Sequence, residues 1–146
     1  MESTTGLLEA IEKIGTSREE FQKFEQEHPI RFSFQSLEKY INAYLAEHPS
    51  LTPAKIYALS NMSRSYGDQI LNGRRKHPGK YKLIALCLAM GMERKEINRA
   101  LRLAGQAELD PRSRLDRALI ICANESIRSV TEINELLATY QIDFII

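Results

Sequence analysis

The chain has no Trp and only 7 Gly, 5 Pro and 2 Cys among its 146 residues. So few turn-forming residues argue against a protein of many short strands and tight turns. No stretch approaches the roughly 20 consecutive apolar residues of a membrane span. The start, Met1-Glu2-Ser3-Thr4-Thr5, lacks a basic segment followed by an apolar one, so export is not expected and a cytoplasmic location is. Without export, the glycosylation matches at Asn61-Met62-Ser63 and Asn124-Glu125-Ser126 are chance. Cys87 and Cys122 each lie in an apolar helical run and read as small core residues in a reducing compartment, although spacing alone leaves a disulfide open. A Gly-rich phosphate cradle, a Cys/His cluster at zinc spacing and an HExxH pattern are all missing. No nucleophile–base pairing is suggested, so neither catalysis, metal nor cofactor is expected. His28, His48 and His77 each precede a proline and read as helix-end partners rather than ligands.

What is present favours helices. Leu, Ile, Ala, Glu, Lys and Arg dominate, with 43% apolar and 27% charged residues. This length suffices for one domain with a real core and appended helices. Net charge is only +1, but it is unevenly placed: −4 over residues 1–49, +6 over 50–82 and −1 over 83–146. The positive segment holds Lys55, Arg64, Arg74, Arg75, Lys76, Lys80 and Lys82 against Asp68 alone. A local basic patch on a near-neutral chain suits contact with a phosphate backbone.

The spacing predicts helices along the whole chain. Residues 6–14 form one that ends at Gly15, and Thr16 or Ser17 caps a second bearing Phe21 and Phe24 and stopped by Pro29. This segment is expected to form an arm packed on the main domain. Ser36 caps a helix with Leu37, Tyr40, Ile41, Tyr44 and Leu45 on one face. Pro53 begins a short helix holding Ile56, Ala58 and Leu59. After Asn61-Met62, Ser63 caps another that ends at Asn72-Gly73. Lys80–Met90, then residues 93–104, are apolar or amphipathic helices ended by Gly91 and Gly105. Pro111 opens a further helix through Asn124, and Ser129-Val130-Thr131-Glu132 is a capping box for the last, through Tyr140. Glu96-Ile97-Asn98 with Leu101 recurs 36 residues later as Glu132-Ile133-Asn134 with Leu137, which common helix-start chemistry explains. The apolar end, Ile142-Asp143-Phe144-Ile145-Ile146, either folds back on the core or forms a dimer contact.

The informative stretch runs from Lys55 to Pro78: a short helix, a three- to four-residue turn, a Ser-capped second helix, Asn72-Gly73 and the basic loop Arg74-Arg75-Lys76. It resembles the lambda-repressor-like (XRE/Cro-type) helix-turn-helix family over about residues 36–105. The resemblance implies an all-α protein with a five-helix core at 36–105, an N-terminal helical arm at 1–35 and a two-helix C-terminal extension at 106–146, a layout similar to one subgroup of the family. It further implies a sequence-specific, repressor-type transcriptional regulator that binds double-stranded DNA, commonly as a homodimer. Matched by position, Arg64, Ser65 and Gln69 fall where family members touch base edges. Arg suits guanine and Gln adenine, and Asp68 can accept from cytosine. Asn72, Arg74, Arg75 and Lys76 fall on phosphate positions, with Thr52, Lys55 and Tyr66 as further phosphate contacts.

Two residues depart from the family pattern. Gly67 stands where an aliphatic residue usually packs, and Tyr66 is expected either to supply that bulk or to reach a phosphate. Asp68 sets a negative charge on the face that would approach DNA. These departures, the acidic arm and the extra helices keep a second reading open: a protein-interaction adaptor or antitoxin-like partner, acting through the arm or the C-terminal helices.

Overall fold

The computed structural model describes residues 4–27, 36–144 and 146. Among the described residues there are nine helices and no strand. The chain divides into two compact units, residues 1–34 and 35–146.

The first unit holds α1 (Thr4–Glu12) and α2 (Arg18–Glu27). Helix α1 stops three residues short of Gly15. Of the two proposed caps, Ser17 serves: its Oγ accepts from the Glu20 N–H at 3.4 Å. Glu20 also reaches back to accept from the Gly15 N–H at 2.9 Å, closing the turn. Phe24 is buried, whereas Leu8, Ile11 and Phe21 are exposed. The stop at Pro29, like His28 and Ile145, lies outside the described residues.

The second unit contains α3 (Leu37–Glu47), α4 (Pro53–Ser60), α5 (Arg64–Leu71), α6 (Lys80–Ala89), α7 (Arg94–Leu103), α8 (Arg114–Asn124) and α9 (Val130–Thr139). Five of these seven starts share a local cause. Ser36, Thr52, Ser63, Ser113 and Ser129 all turn a side-chain oxygen onto the backbone N–H three residues on. Helix α8 begins later than expected. Pro111 lies in the preceding turn, where Asp110 accepts from the Arg112 N–H, and Ser113 is the actual cap. A serine hydroxyl at the boundary outweighs the preset φ of proline.

Helix α6 is the centre of this unit. Its residues 83–89 and the following Met90 are all buried, and it packs between α4 and α7. Helix α3 packs on α5 and α7, α8 on α7 and α9, and α9 also reaches α4. Leu119, Cys122, Ile133 and Leu137 of the last two helices therefore share one core with Ile41, Ile56, Ile70 and Leu101. Both cysteines are free, buried thiols, and burial pushes the Cys122 thiol up to about 11. On α4, Tyr57 rather than Ala58 points inward, so the short helix buries an aromatic ring the apolar spacing did not select.

Five helices, α4 and α6 through α9, end in the same way. The residue that follows a left-handed one donates its N–H to a carbonyl five back: Met62 to Tyr57, Met92 to Cys87, Gln106 to Leu101, Ile127 to Cys122 and Ile142 to Leu137. The left-handed residue before each is Asn61, Gly91, Gly105, Ser126 and Gln141. The chain end lies along the unit: the Phe144 and Tyr81 rings are 5.1 Å apart, and Ile146 donates its N–H to Asn134 Oδ1 at 3.1 Å.

Where α6 begins, the buried Asp116 gathers three donors. Lys80 Nζ and the Asp110 N–H reach Oδ2, and the Tyr81 hydroxyl reaches Oδ1, each at 2.9 Å. The carboxylate thus ties α6, the 106–113 loop and α8 together. Among the described residues no buried side-chain polar atom lacks a partner.

Candidate nucleic-acid interface

Helix α5 has two unlike sides. Gly67 and Ile70 are buried, and opposite them Arg64, Ser65, Asp68 and Asn72 are exposed, with Gln69 half-buried at the edge. The helix is held at both ends. Ser63 caps its start, accepting the Tyr66 N–H at 3.2 Å. At its end Asn42 of α3 donates to the Leu71 carbonyl at 2.9 Å. Gly73 follows in the left-handed region, at φ +82°, and a side chain there would run into the Glu38 carboxylate.

The loop after α5 is fixed rather than loose. The Arg75 N–H donates to the Gln69 carbonyl at 2.9 Å, and Asn72 Oδ1 accepts from the Arg74 N–H at 2.9 Å. Further on, His77 Nδ1 lies 3.0 Å from the Ala104 carbonyl, and Gln106 Nε2 donates to the Pro78 carbonyl at 3.0 Å. His77 is therefore a partner for a helix end, as is His48, whose Nδ1 lies 2.8 Å from the Tyr44 carbonyl. Arg74 and Lys76 are exposed on this anchored loop.

Side chains on the exposed side hold one another. Gln69 Oε1 accepts from both Arg75 Nε, at 3.1 Å, and Arg75 Nη2, at 2.7 Å. A guanidinium has only donors, so the amide oxygen must be the atom facing it, and the Gln69 NH2 group remains as the outward donor. The Arg75 guanidinium also lies 4.3 Å from the centre of the Tyr66 ring, and Lys82 Nζ lies 4.5 Å from it. Tyr66 is thus a platform for two cations and does not fill the space over Gly67.

That space is taken by Tyr57. A Cβ on Gly67 would stand 2.2 Å from Tyr57 Cε1, so the absence of a side chain is what lets the ring cross α5. The Tyr57 hydroxyl donates to Asp68 Oδ1 at 2.9 Å, and burial followed by this hydrogen bond raises its pKa. Asp68 Oδ2 lies 3.6 Å from Arg64 Nε, one helical turn away. On α4, Thr52 serves as the cap, accepting the Lys55 N–H at 3.3 Å, and Lys55 Nζ donates to the Ser50 carbonyl at 3.4 Å.

The structure thus places Arg64, Ser65, Asp68, Gln69, Tyr66, Asn72, Arg74, Arg75 and Lys76 on α5 and the loop that follows it, whereas Thr52 and Lys55 lie at the start of α4. Two residues of the arrangement were absent from the sequence-derived set. Lys82 belonged to the basic segment, but its approach to Tyr66 has no sequence signal. Tyr57 carried none beyond being aromatic. Among the described residues no group of three or more His, Cys, Asp or Glu side chains could hold a metal ion, and no helix is long and apolar enough to cross a membrane. No family model, curated protein or solved structure matches the chain.

Proposed function

We propose that the second unit binds double-stranded DNA, with α4, the turn and α5 acting as a helix-turn-helix within a lambda-repressor-like core made of α3 to α7. The observation that carries this reading is the division of α5 into a buried side anchored by Ile70 and an exposed side bearing Arg64, Ser65 and Gln69, continued by Arg74 and Lys76 on a loop fixed at both ends. A major groove admits one helix and is read by polar side chains near the helix start, while cations beside it bind phosphates. Arg64 has two terminal amino groups suited to guanine. Gln69, its oxygen held by Arg75, offers donors to guanine or to thymine O4 instead of the paired donor and acceptor that adenine needs. Function by occupancy of an operator, in the cytoplasm and without chemistry, follows from this reading. A two-fold dimer would set two copies of α5 about 34 Å apart, one DNA turn.

Electrophoretic mobility shift with a pool of randomised duplexes at low salt tests it. Retention of an enriched duplex is expected. Arg64→Ala and Gln69→Ala should each weaken the selected site by roughly 5- to 150-fold, the range of one base contact. Arg74→Ala with Lys76→Ala should weaken all sequences alike and reduce the salt slope by about 2. Absence of any retained duplex at low salt would exclude the reading. A palindromic selected site would support the dimer.

A protein-interaction adaptor is favoured by one observation, the exposure of Leu8, Ile11 and Phe21 on the helices of the first unit. A stoichiometric partner lost on Phe21→Asp, with no duplex retained by the full chain, would select that reading instead.

A further inference from the structure

Gly67 and Asp68, the two departures from the family pattern, belong to one device. Glycine at 67 leaves room for the Tyr57 ring against the backbone of α5, and burial of that ring at 6% exposure fixes where its hydroxyl lies. The hydroxyl holds Asp68 Oδ1, so the carboxylate cannot turn freely. Its second oxygen faces Arg64 Nε from one helical turn further along. Contact at Nε leaves both terminal amino groups of the guanidinium unused, side by side and pointing away from the carboxylate. Guanine presents two adjacent acceptors, O6 and N7, in the major groove, which two parallel donors match.

From this chain of contacts the geometry points to a specificity relay: Tyr57 positions Asp68, Asp68 positions Arg64, and Arg64 reads a guanine in duplex DNA. Asp68 is then a positioning residue and not itself a reader of cytosine. The inference rests on the DNA-binding reading above. As an exposed ion pair, Arg64–Asp68 adds little to folding. Its effect lies in holding a long, 90% exposed side chain near the one geometry that guanine accepts, in a groove where water is displaced. The pairing also compensates a carboxylate that would otherwise repel the phosphates on either side of the groove.

Selection from randomised duplexes, run in parallel with the full-length wild type, Arg64→Ala, Asp68→Asn, Tyr57→Phe and Arg64→Lys, tests the relay. The expected wild-type site has one position dominated by guanine. Arg64→Ala and Asp68→Asn should both flatten that position, by roughly 5- to 50-fold in preference, and leave the others unchanged. A variant carrying both Arg64→Ala and Asp68→Asn, run alongside, should go no further than Arg64→Ala alone. Tyr57→Phe keeps the ring over Gly67 and should flatten the same position less. Arg64→Lys should keep general affinity and lose the preference. Asp68→Asn removes a negative charge, so its binding to unselected duplexes should strengthen while its discrimination falls, which loss of folding would not produce. A selected site unchanged by Asp68→Asn overturns the relay while leaving DNA binding intact. So does a cytosine position lost in Asp68→Asn but kept in Arg64→Ala, which would make Asp68 a direct reader. Failure of the wild type to select any duplex overturns the relay together with the reading it rests on.

Discussion

At Gly67 a rule of helix energetics is reversed by one neighbour. Replacing Gly by Ala inside a helix ordinarily gains about 1 kcal/mol, because Ala loses less backbone freedom on folding. Here the added methyl would meet three atoms of the Tyr57 ring between 2.2 and 2.7 Å away. That ring is buried and held at its hydroxyl, so it cannot swing aside cheaply. Gly67→Ala is therefore expected to destabilise the unit by about 1–3 kcal/mol, the usual cost of overpacking, measured by urea denaturation. In a Tyr57→Ala background the sign should revert, and Gly67→Ala should become mildly stabilising. Sequence marked Gly67 as an anomaly but could not supply the reason. The ring that explains it lies ten residues earlier, across a turn, and periodicity reports which side of a helix is buried, not which side chain crosses to it. Gln69 and Arg75 illustrate the same limit. Each was legible as a polar residue near the candidate site, yet their mutual hydrogen bonds, which leave the Gln69 NH2 group as its free donor, are set by the path of the loop.

Between elements, the recurrence of Glu-Ile-Asn at a 36-residue offset extends well beyond helix starts. The pairs α6–α7 and α8–α9 share a left-handed residue at the turn, Gly91 or Ser126, and the same back-bond onto a buried cysteine, Cys87 or Cys122. The repeated asparagines also do the same thing. Asn98 Oδ1 accepts the Leu109 N–H at 2.9 Å, and Asn134 Oδ1 accepts the Ile146 N–H at 3.1 Å, so each fastens the chain that leaves its hairpin. Burial separates their energetic weight. Asn98 and Leu109 are both buried, and Asn98→Ala should strand an N–H away from water at about 1–3 kcal/mol. Asn134 is half-buried, water can replace it, and Asn134→Ala should cost less than about 1 kcal/mol; thermal unfolding of the two variants checks the order. Helix boundaries were largely legible because serine caps and glycine stops act within three or four residues. The asparagine clasps were not, since an N–H eleven or twelve residues away leaves no local pattern, and Pro111 misled because a stronger cap followed it.

For the molecule as a whole, four tyrosines share one role. Tyr40 and Tyr44 donate their hydroxyls to the carbonyls of Glu96 and Met90, and Tyr57 and Tyr81 donate to the carboxylates of Asp68 and Asp116. Burial raises all four pKa values, those of Tyr40 and Tyr81 to about 12 from 10.0. A raised value means that the folded state keeps a proton the unfolded chain gives up first. Stability from these groups is thus complete below pH 10.0 and declines as pH rises toward about 12. Urea midpoints should be flat from about pH 7 to 9 and then fall, and Tyr81→Phe should reduce the fall.

Helix α6 gives the same unit a built-in sensor. The amides of residues 83–89, all of them buried, are expected to exchange hydrogen with solvent only when the unit opens as a whole. Any molecule that binds the folded unit and not the unfolded chain lowers the frequency of that opening, by a factor of 100 when present at about 100 times its dissociation constant. Deuterium uptake along the buried stretch of α6 therefore reports occupancy of that unit's surface without any probe placed at the site itself.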